Sequence, residues 1–226
     1  MKKYELTNET ITIDNGKTLY RIRALVDIEA FGVTIGDLGG YIEKEENLSH
    51  SGDAWVSDNA RIYGDAVVYD NAWVYGDAVV CDNALVYNDA VIYLDAVVYG
   101  DAIVCGNALV YGNARIYGDA IVYGDAAVCG NAVVCGNARI YGDASICGDA
   151  ELNKVTRMLM VGPIGSRTDT AIFFRTKENI IKVVCGCFYG TIDEFLAQLK
   201  LTHRNNKYGH AYRLAVELAK AQIELD

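Results

Sequence analysis

From Gly52 to Asn153 the chain runs in seventeen unbroken six-residue units, beginning GDAWVS, DNARIY, GDAVVY, DNAWVY and ending GDASIC, GDAELN. The third place is Ala in every unit, from Ala54 to Ala150. The fifth is Val or Ile in sixteen and Leu152 in the last, and the second is always Asp or Asn. A fixed period this strict decides the architecture before any other feature is weighed. Places three and five lie two residues apart, so on a strand they face one side, and places four and six face the other. An inner row of Ala and Val fills a narrow core. The Gly-Asp or Gly-Asn pair makes the corner, because Gly accepts positive φ freely and Asn or Asp next best. Short strands joined by such corners without insertion predict a parallel β-helix of the hexapeptide type.

The hexads resemble those of the bacterial transferase hexapeptide group, in which three hexads close one triangular coil. The resemblance implies an all-β left-handed parallel β-helix, a handedness opposite to the usual crossover rule. Residues 37–60, DLGGYIEKEENLSHSGDAWVSDNA, also resemble the lead-in segment of uncharacterised bacterial and phage hexapeptide proteins that carry a transferase label. The likeness covers residues 1–153.

With three hexads per coil, every third hexad stacks on one face, about 4.8 Å from the next. Place four then gives three outward ladders. The first holds Trp55, Trp73, Val91 and Leu109, the second Val67, Leu85, Ile103 and Ile121, and the third Arg61, Val79, Val97 and Arg115. Place six adds Tyr75, Tyr93 and Tyr111 to the first ladder, and Tyr69, Tyr87, Cys105, Tyr123 and Tyr141 to the second. Apolar outer strips of this length are normally covered. The Val67–Ile121 ladder is the first choice for a contact between copies of the chain, with Trp55 and Trp73 second. The resemblance implies a homotrimer; docking of a foreign protein on these rows is the alternative.

The flanks divide the chain into a β cap (residues 1–45), the helix (46–153) and a C-terminal module (154–226). Residues 4–25 read as a hairpin with Asn15-Gly16 as a type I′ turn. After the repeat, TRMLMVG, DTAIFFRT and IIKVVCGCF read as three strands. Thr191 and Glu194 form a capping-box pattern before Ile192, Phe195, Leu196 and Leu199. A second helix carries Tyr208, Tyr212, Ala215 and Ala219 on one face. The expected module is βββαα.

The chemistry is mostly what the repeat lacks. Hexapeptide acyltransferases use a histidine base, and the related carbonic anhydrases bind zinc through histidines. Here His50, His203 and His210 all lie outside the seventeen hexads. A base must reach its proton and a zinc site needs about three protein ligands, so neither assembles from the repeat. No catalytic residue, cofactor or metal is expected, and His50 is the one candidate base. Cys185-x-Cys187 is too short and solitary for zinc. Corner carboxylates such as Asp101 and Asp119 fall on adjacent coils, yet turn chemistry accounts for them. The loop GPIGSRTDT, residues 162–170, offers Gly162, Gly165, Ser166 and Arg167 to an anion, without the Gly-Lys-Ser/Thr of a P-loop.

Charge is unevenly spread. Residues 52–153 carry 3 basic and 14 acidic groups, net −11, and residues 154–226 carry 11 basic and 7 acidic, net +4. Such a rod repels nucleic acid, so no direct DNA or RNA binding is expected. The N-terminal MKKYELTNETITID has no apolar run and no stretch reaches about 18 apolar residues, so neither signal peptide nor membrane span is expected. Seven cysteines, an odd number, predict reduced thiols in a cytoplasm. Three functions stay open. One is a non-catalytic oligomeric scaffold, phage- or prophage-associated, that presents the C-terminal module on an acidic rod. Another is a phage anti-defence inhibitor, either an acidic decoy for a basic host defence protein or a trap for a small anionic signal between subunits. The last is an acyltransferase, which the missing histidines oppose.

Overall fold

Each hexad forms one two-residue strand at places four and five. In the computed structural model, which describes residues 1–152, 158–176 and 178–225, these strands run from β4 (Trp55–Val56) and β5 (Arg61–Ile62) to β19 (Ser145–Ile146) and β20 (Glu151–Leu152). Every third strand pairs in parallel, so Trp55 lies beside Trp73, Val67 beside Leu85, and Arg61 beside Val79. Three parallel sheets result, and the chain is a parallel β-solenoid of nearly six coils. The Ala of place three and the Val, Ile or Leu of place five are buried from Ala54 to Leu152. Place one supplies the positive φ at each corner. Where it is not Gly it is mostly Asp or Asn, as at Asp58 (55°) and Asn88 (58°), and once Leu94 (59°).

The ladder bonds run one way: each N–H donates to a carbonyl in the following coil, as from Val97 to Ala114 at 2.9 Å. The first coil is therefore left with carbonyls that no preceding coil can satisfy, and buried unpaired carbonyls are costly. The N-terminal segment supplies the donors. Strand β3 (Leu38–Ile42) pairs in parallel with β5, bringing Tyr41 N–H to Ala60 O (2.9 Å) and Glu43 N–H to Ile62 O (3.0 Å). Ser49 N–H reaches Val68 O at 2.9 Å. At the corners side chains take over. The buried Lys3 ammonium donates to Ala54 O (2.6 Å) and Gly52 O (3.1 Å), and the buried Asn47 amide to Ala66 O (2.8 Å) and Gly64 O (3.1 Å). Burial lowers the Lys3 pKa to about 8, with Asp53 opposing the shift.

Strands β1 (Tyr4–Thr12) and β2 (Thr18–Ala24) make the expected hairpin, and β2 continues antiparallel into β3. The turn differs from the type I′ reading. Gly16 N–H donates to Ile13 O at 2.8 Å, and of the turn residues only Gly16 has positive φ (81°). This is a type I turn over Asp14-Asn15 followed by a Gly bulge, a form that also favours Asn-Gly but one residue out of step.

The C-terminal module holds four strands rather than three: β21 (Met158–Ile164), β22 (Asp169–Arg175), β23 (Ile181–Cys185) and β24 (Phe188–Thr191), antiparallel in that order. The run IIKVVCGCF is not one strand, because Gly186 at φ 57° turns it back and pairs Cys185 with Phe188. The sheet covers the last coil. Met158, Ile172, Phe174 and Val184 join the solenoid core, while Phe173, Val183 and Ala171 on the opposite face pack against helices α1 (Ile192–Thr202) and α2 (Lys207–Gln222). Ala150 bridges to Thr176, and Thr170 Oγ1 donates to Asp143 Oδ1 at 2.6 Å. The expected capping box at Thr191 and Glu194 is formed. The boundary expected at residue 153, and the first two residues of TRMLMVG, lie outside the described residues.

Candidate functional site: a cleft at the end of the rod

Two turns and two helices of the module enclose a cleft of about 450 Å³, within the roughly 300–1,000 Å³ usual for small-molecule sites. The β21–β22 turn contributes Ser166, Arg167 and Asp169, and the β23–β24 turn Cys185, Cys187 and Phe188. Helix α1 adds Phe195, Gln198 and Leu199 with His203 at its end, and α2 adds Tyr212. The rings meet edge-on or tilted: Phe195 to Tyr212 at 5.6 Å, Phe188 to Phe195 at 5.1 Å and His203 to Tyr212 at 5.8 Å. Gly165 is required here, since a Cβ on it would run into the Tyr212 hydroxyl. That hydroxyl makes a long contact to Ile164 O at 3.5 Å and accepts from the Cys185 thiol at 3.5 Å. Burial raises the pKa of both Tyr212 and Cys185, so both are protonated at neutral pH.

Of the four loop residues singled out in the sequence, Ser166 and Arg167 line this cleft and Gly165 shapes it. Gly162 instead packs against Thr170 within the sheet. Sequence reasoning missed Asp169, Phe188 and Tyr212 as parts of one site, because only the two hairpin turns and the helix pair bring them together.

On the solenoid, places four and six face outward as expected, and the tyrosines stack along the rod. Ring centroids are 5.0 Å apart for Tyr75–Tyr93, 4.9 Å for Tyr93–Tyr111 and 4.8 Å for Tyr69–Tyr87. Tyr87 is pushed up to about 12 by its hydrogen bond with Cys105 and by burial, and Tyr117 to about 12 by its hydrogen bond with Cys135 and burial. The second ladder, Val67, Leu85, Ile103 and Ile121, is half-buried, and the Tyr123 and Tyr141 beside it are 39% and 46% exposed. The first ladder is not open in the same way. Trp55 is 1% exposed within the core cluster, and Phe31 stacks on Trp73 at 4.8 Å. The segment that covers them has no hydrophobic period, which is why the tryptophans read as a free face.

Place six also corrects the thiol expectation. Cys129 and Cys147 stand one coil apart with Cα atoms 4.6 Å from each other and form a disulfide. Stacking of equal places brings any two such cysteines within the usual disulfide span of about 4.4–6.8 Å. Cys81, Cys105, Cys135, Cys185 and Cys187 are thiols. The candidate base His50 stacks on Tyr4 at 4.4 Å, and its Nδ1 accepts the Lys3 N–H at 3.2 Å.

At the corners, Asn amides donate along the axis to the residue one coil on: Asn59 to Asp77, Asn71 to Asp89, Asn83 to Asp101 and Asn107 to Asp125, at 2.7–3.2 Å. Among the described residues no group of three or more His, Cys, Asp or Glu is placed to hold a metal ion, and no helix is long and apolar enough to cross a membrane.

Fold and repeat together define the class: a parallel β-solenoid repeat protein with both ends covered by its own chain. Three stretches, residues 54–70, 60–76 and 114–130, match the family model described as the YdcK beta solenoid repeat. All three fall within the hexads. No curated protein matches the chain.

Proposed function

We propose that this chain is a non-catalytic oligomeric binding protein whose acidic solenoid holds the C-terminal module in a fixed position. The observation that carries the reading is the way the module is joined to the rod. Ile172 and Phe174 are fully buried in the solenoid core, and their neighbours Ala171 and Phe173 are fully buried under the helices. A sheet committed on both faces leaves the cleft rigidly placed relative to the rod. The half-buried Val67–Ile121 ladder is the contact between copies in this reading; on the other two faces the hairpin tip stands beside Arg61 and Val79 and Phe31 stacks on Trp73, so their first coils are already occupied. The resemblance to hexapeptide transferases makes a trimer the favoured assembly. Light scattering of the purified chain at micromolar concentration should give an oligomer, and Ile103→Arg with Ile121→Arg should convert it to monomer. A wild-type monomer refutes the assembly.

A second reading, an acidic decoy for a basic protein, is supported by Asp77, Asp95, Asp101, Asp119, Asp125 and Asp143, exposed along the corners. Exposed charge pairs are screened within about 8–10 Å at ordinary ionic strength. Partner capture by a decoy should therefore weaken with salt and with Asp101→Asn plus Asp119→Asn. A scaffold tolerates both changes, because Asn serves the same corner at other coils.

A further inference from the structure

The cleft holds two opposite charges side by side, and that narrows what it can bind. Arg167 brings one cation and Asp169 one anion to the same wall. Measured from the point where a Cβ on Gly186 would sit, Asp169 Oδ2 is 2.9 Å away and Arg167 Nη1 is 3.9 Å away. The two groups thus flank one small space, which exists because residue 186 has no side chain. They make no ion pair with each other among the described residues. Asp169 Oδ1 accepts the Thr170 N–H at 2.9 Å, which fixes the carboxylate and leaves Oδ2 turned toward that space.

An anion alone would gain Arg167 and be opposed by Asp169, and a cation alone would meet the reverse. A ligand bearing both charges on adjacent atoms satisfies both groups, its carboxylate on the guanidinium and its ammonium on Oδ2. Beyond this dipolar rim Phe188, Phe195 and Leu199 form an apolar wall, and Gln198, Thr202 and His203 line the side at the end of α1. At the floor the Tyr212 hydroxyl accepts from the Cys185 thiol, and its own proton is engaged only by the 3.5 Å contact to Ile164 O.

We infer that the cleft is a binding site for a small zwitterion with an apolar body, an α-amino acid with a large apolar or aromatic side chain. The inference rests on the reading of the module as the binding part of the protein, and it differs from the expectation of an anion at the loop 162–170 by adding a positive charge to the ligand. It is independent of how many copies assemble.

The test uses the full-length protein and three probes by calorimetry: L-phenylalanine, 3-phenylpropionate, which lacks the ammonium, and phenethylamine, which lacks the carboxylate. L-Phenylalanine should bind at least tenfold more tightly than either. Arg167→Met should cost at least tenfold for L-phenylalanine and leave phenethylamine unchanged or improved. Asp169→Asn keeps an acceptor for the Thr170 N–H, so the hairpin should survive. It should weaken L-phenylalanine and strengthen 3-phenylpropionate, reversing their order. Equal binding of 3-phenylpropionate and L-phenylalanine to the wild type overturns the zwitterion in favour of an anion site. No heat from any probe at millimolar concentration overturns the site altogether. Light scattering of the same samples reports the oligomer separately, so a failed site and a failed assembly give different results.

Discussion

Gly112 and Gly142 hold the same place in the hexad and nearly the same backbone, φ 73° and φ 68°, yet they differ in what lies beyond them. A Cβ on Gly112 would meet the backbone of Gly130 in the next coil, 3.0 Å from its N and 3.1 Å from its O; one on Gly142 would meet nothing within 4 Å. Replacing each with Ala separates two costs that the repeat normally hides in one residue. Left-handed backbone costs an Ala about 1–2 kcal/mol, and the stiffer unfolded chain returns about 0.4–1 kcal/mol. Gly142→Ala should therefore lose about 0.5–1.5 kcal/mol. Gly112→Ala carries the same strain plus an overpacking cost of about 1–3 kcal/mol, because the obstacle is the backbone of Gly130, whose carbonyl accepts the Asn113 N–H and must give way by a few tenths of an ångström. Its expected loss is about 2–4 kcal/mol. Urea unfolding followed by far-ultraviolet circular dichroism gives both values, provided the slope of the transition is unchanged. If Gly112→Ala is no more destabilising than Gly142→Ala, coil-to-coil crowding is not what selects glycine at these corners.

Leu94 is the reverse case, a left-handed residue with its side chain 50% exposed; Leu94→Gly should raise stability by about 0.5–1 kcal/mol in the same assay. Val104→Asp places an unpaired carboxylate at a fully buried position between rows of Ala and Val, and the variant should be insoluble or lack the β-type spectrum; a soluble, native-like variant refutes the hexad parse. Lys3→Met leaves Ala54 O and Gly52 O without their donor and should cost about 1–3 kcal/mol. The sign with pH follows from a folded Lys3 pKa of about 8 below the ordinary 10.5. Between these values the unfolded chain binds more protons, so this group's contribution to stability rises with pH. The advantage of wild type over Lys3→Met should grow from pH 8 to 9.5, and a shrinking gap contradicts the assigned shift.

The solenoid was legible because its period leaves no choice. Six residues per strand and corner, with Ala and Val two apart, determine which side chains face inward and which residue pairs with which. Where one turn signal serves two geometries, legibility failed by a residue. Asn15-Gly16 suits either hairpin turn, and Cys185-Gly186-Cys187 reads as strand until Gly186 is known to bend. Trp55 was misjudged because its cover is an irregular segment whose contacts carry no pattern in sequence. The cleft was half visible: Arg167 stood out in a glycine-rich loop, while its counter-charge Asp169 and the aromatic walls come from elements that meet only after the sheet and helices have packed. Cys129 and Cys147 were in reach of the same arithmetic that stacked the tyrosines, since they stand 18 residues apart on one row.

Because three hexads return the chain to the same face, the length of this protein can change only in discrete steps if its two ends are to keep their mutual orientation. Gain or loss of 18 residues moves the cleft along the axis by one strand spacing, about 4.8 Å, and leaves its compass bearing relative to the hairpin unchanged. Gain or loss of a single hexad turns the cleft by a third of a revolution and sets Asn and Asp against strangers along every corner. The repeat therefore works as an indexing mechanism: by counting coils it sets both how far the terminal site stands from the other end and which way it points.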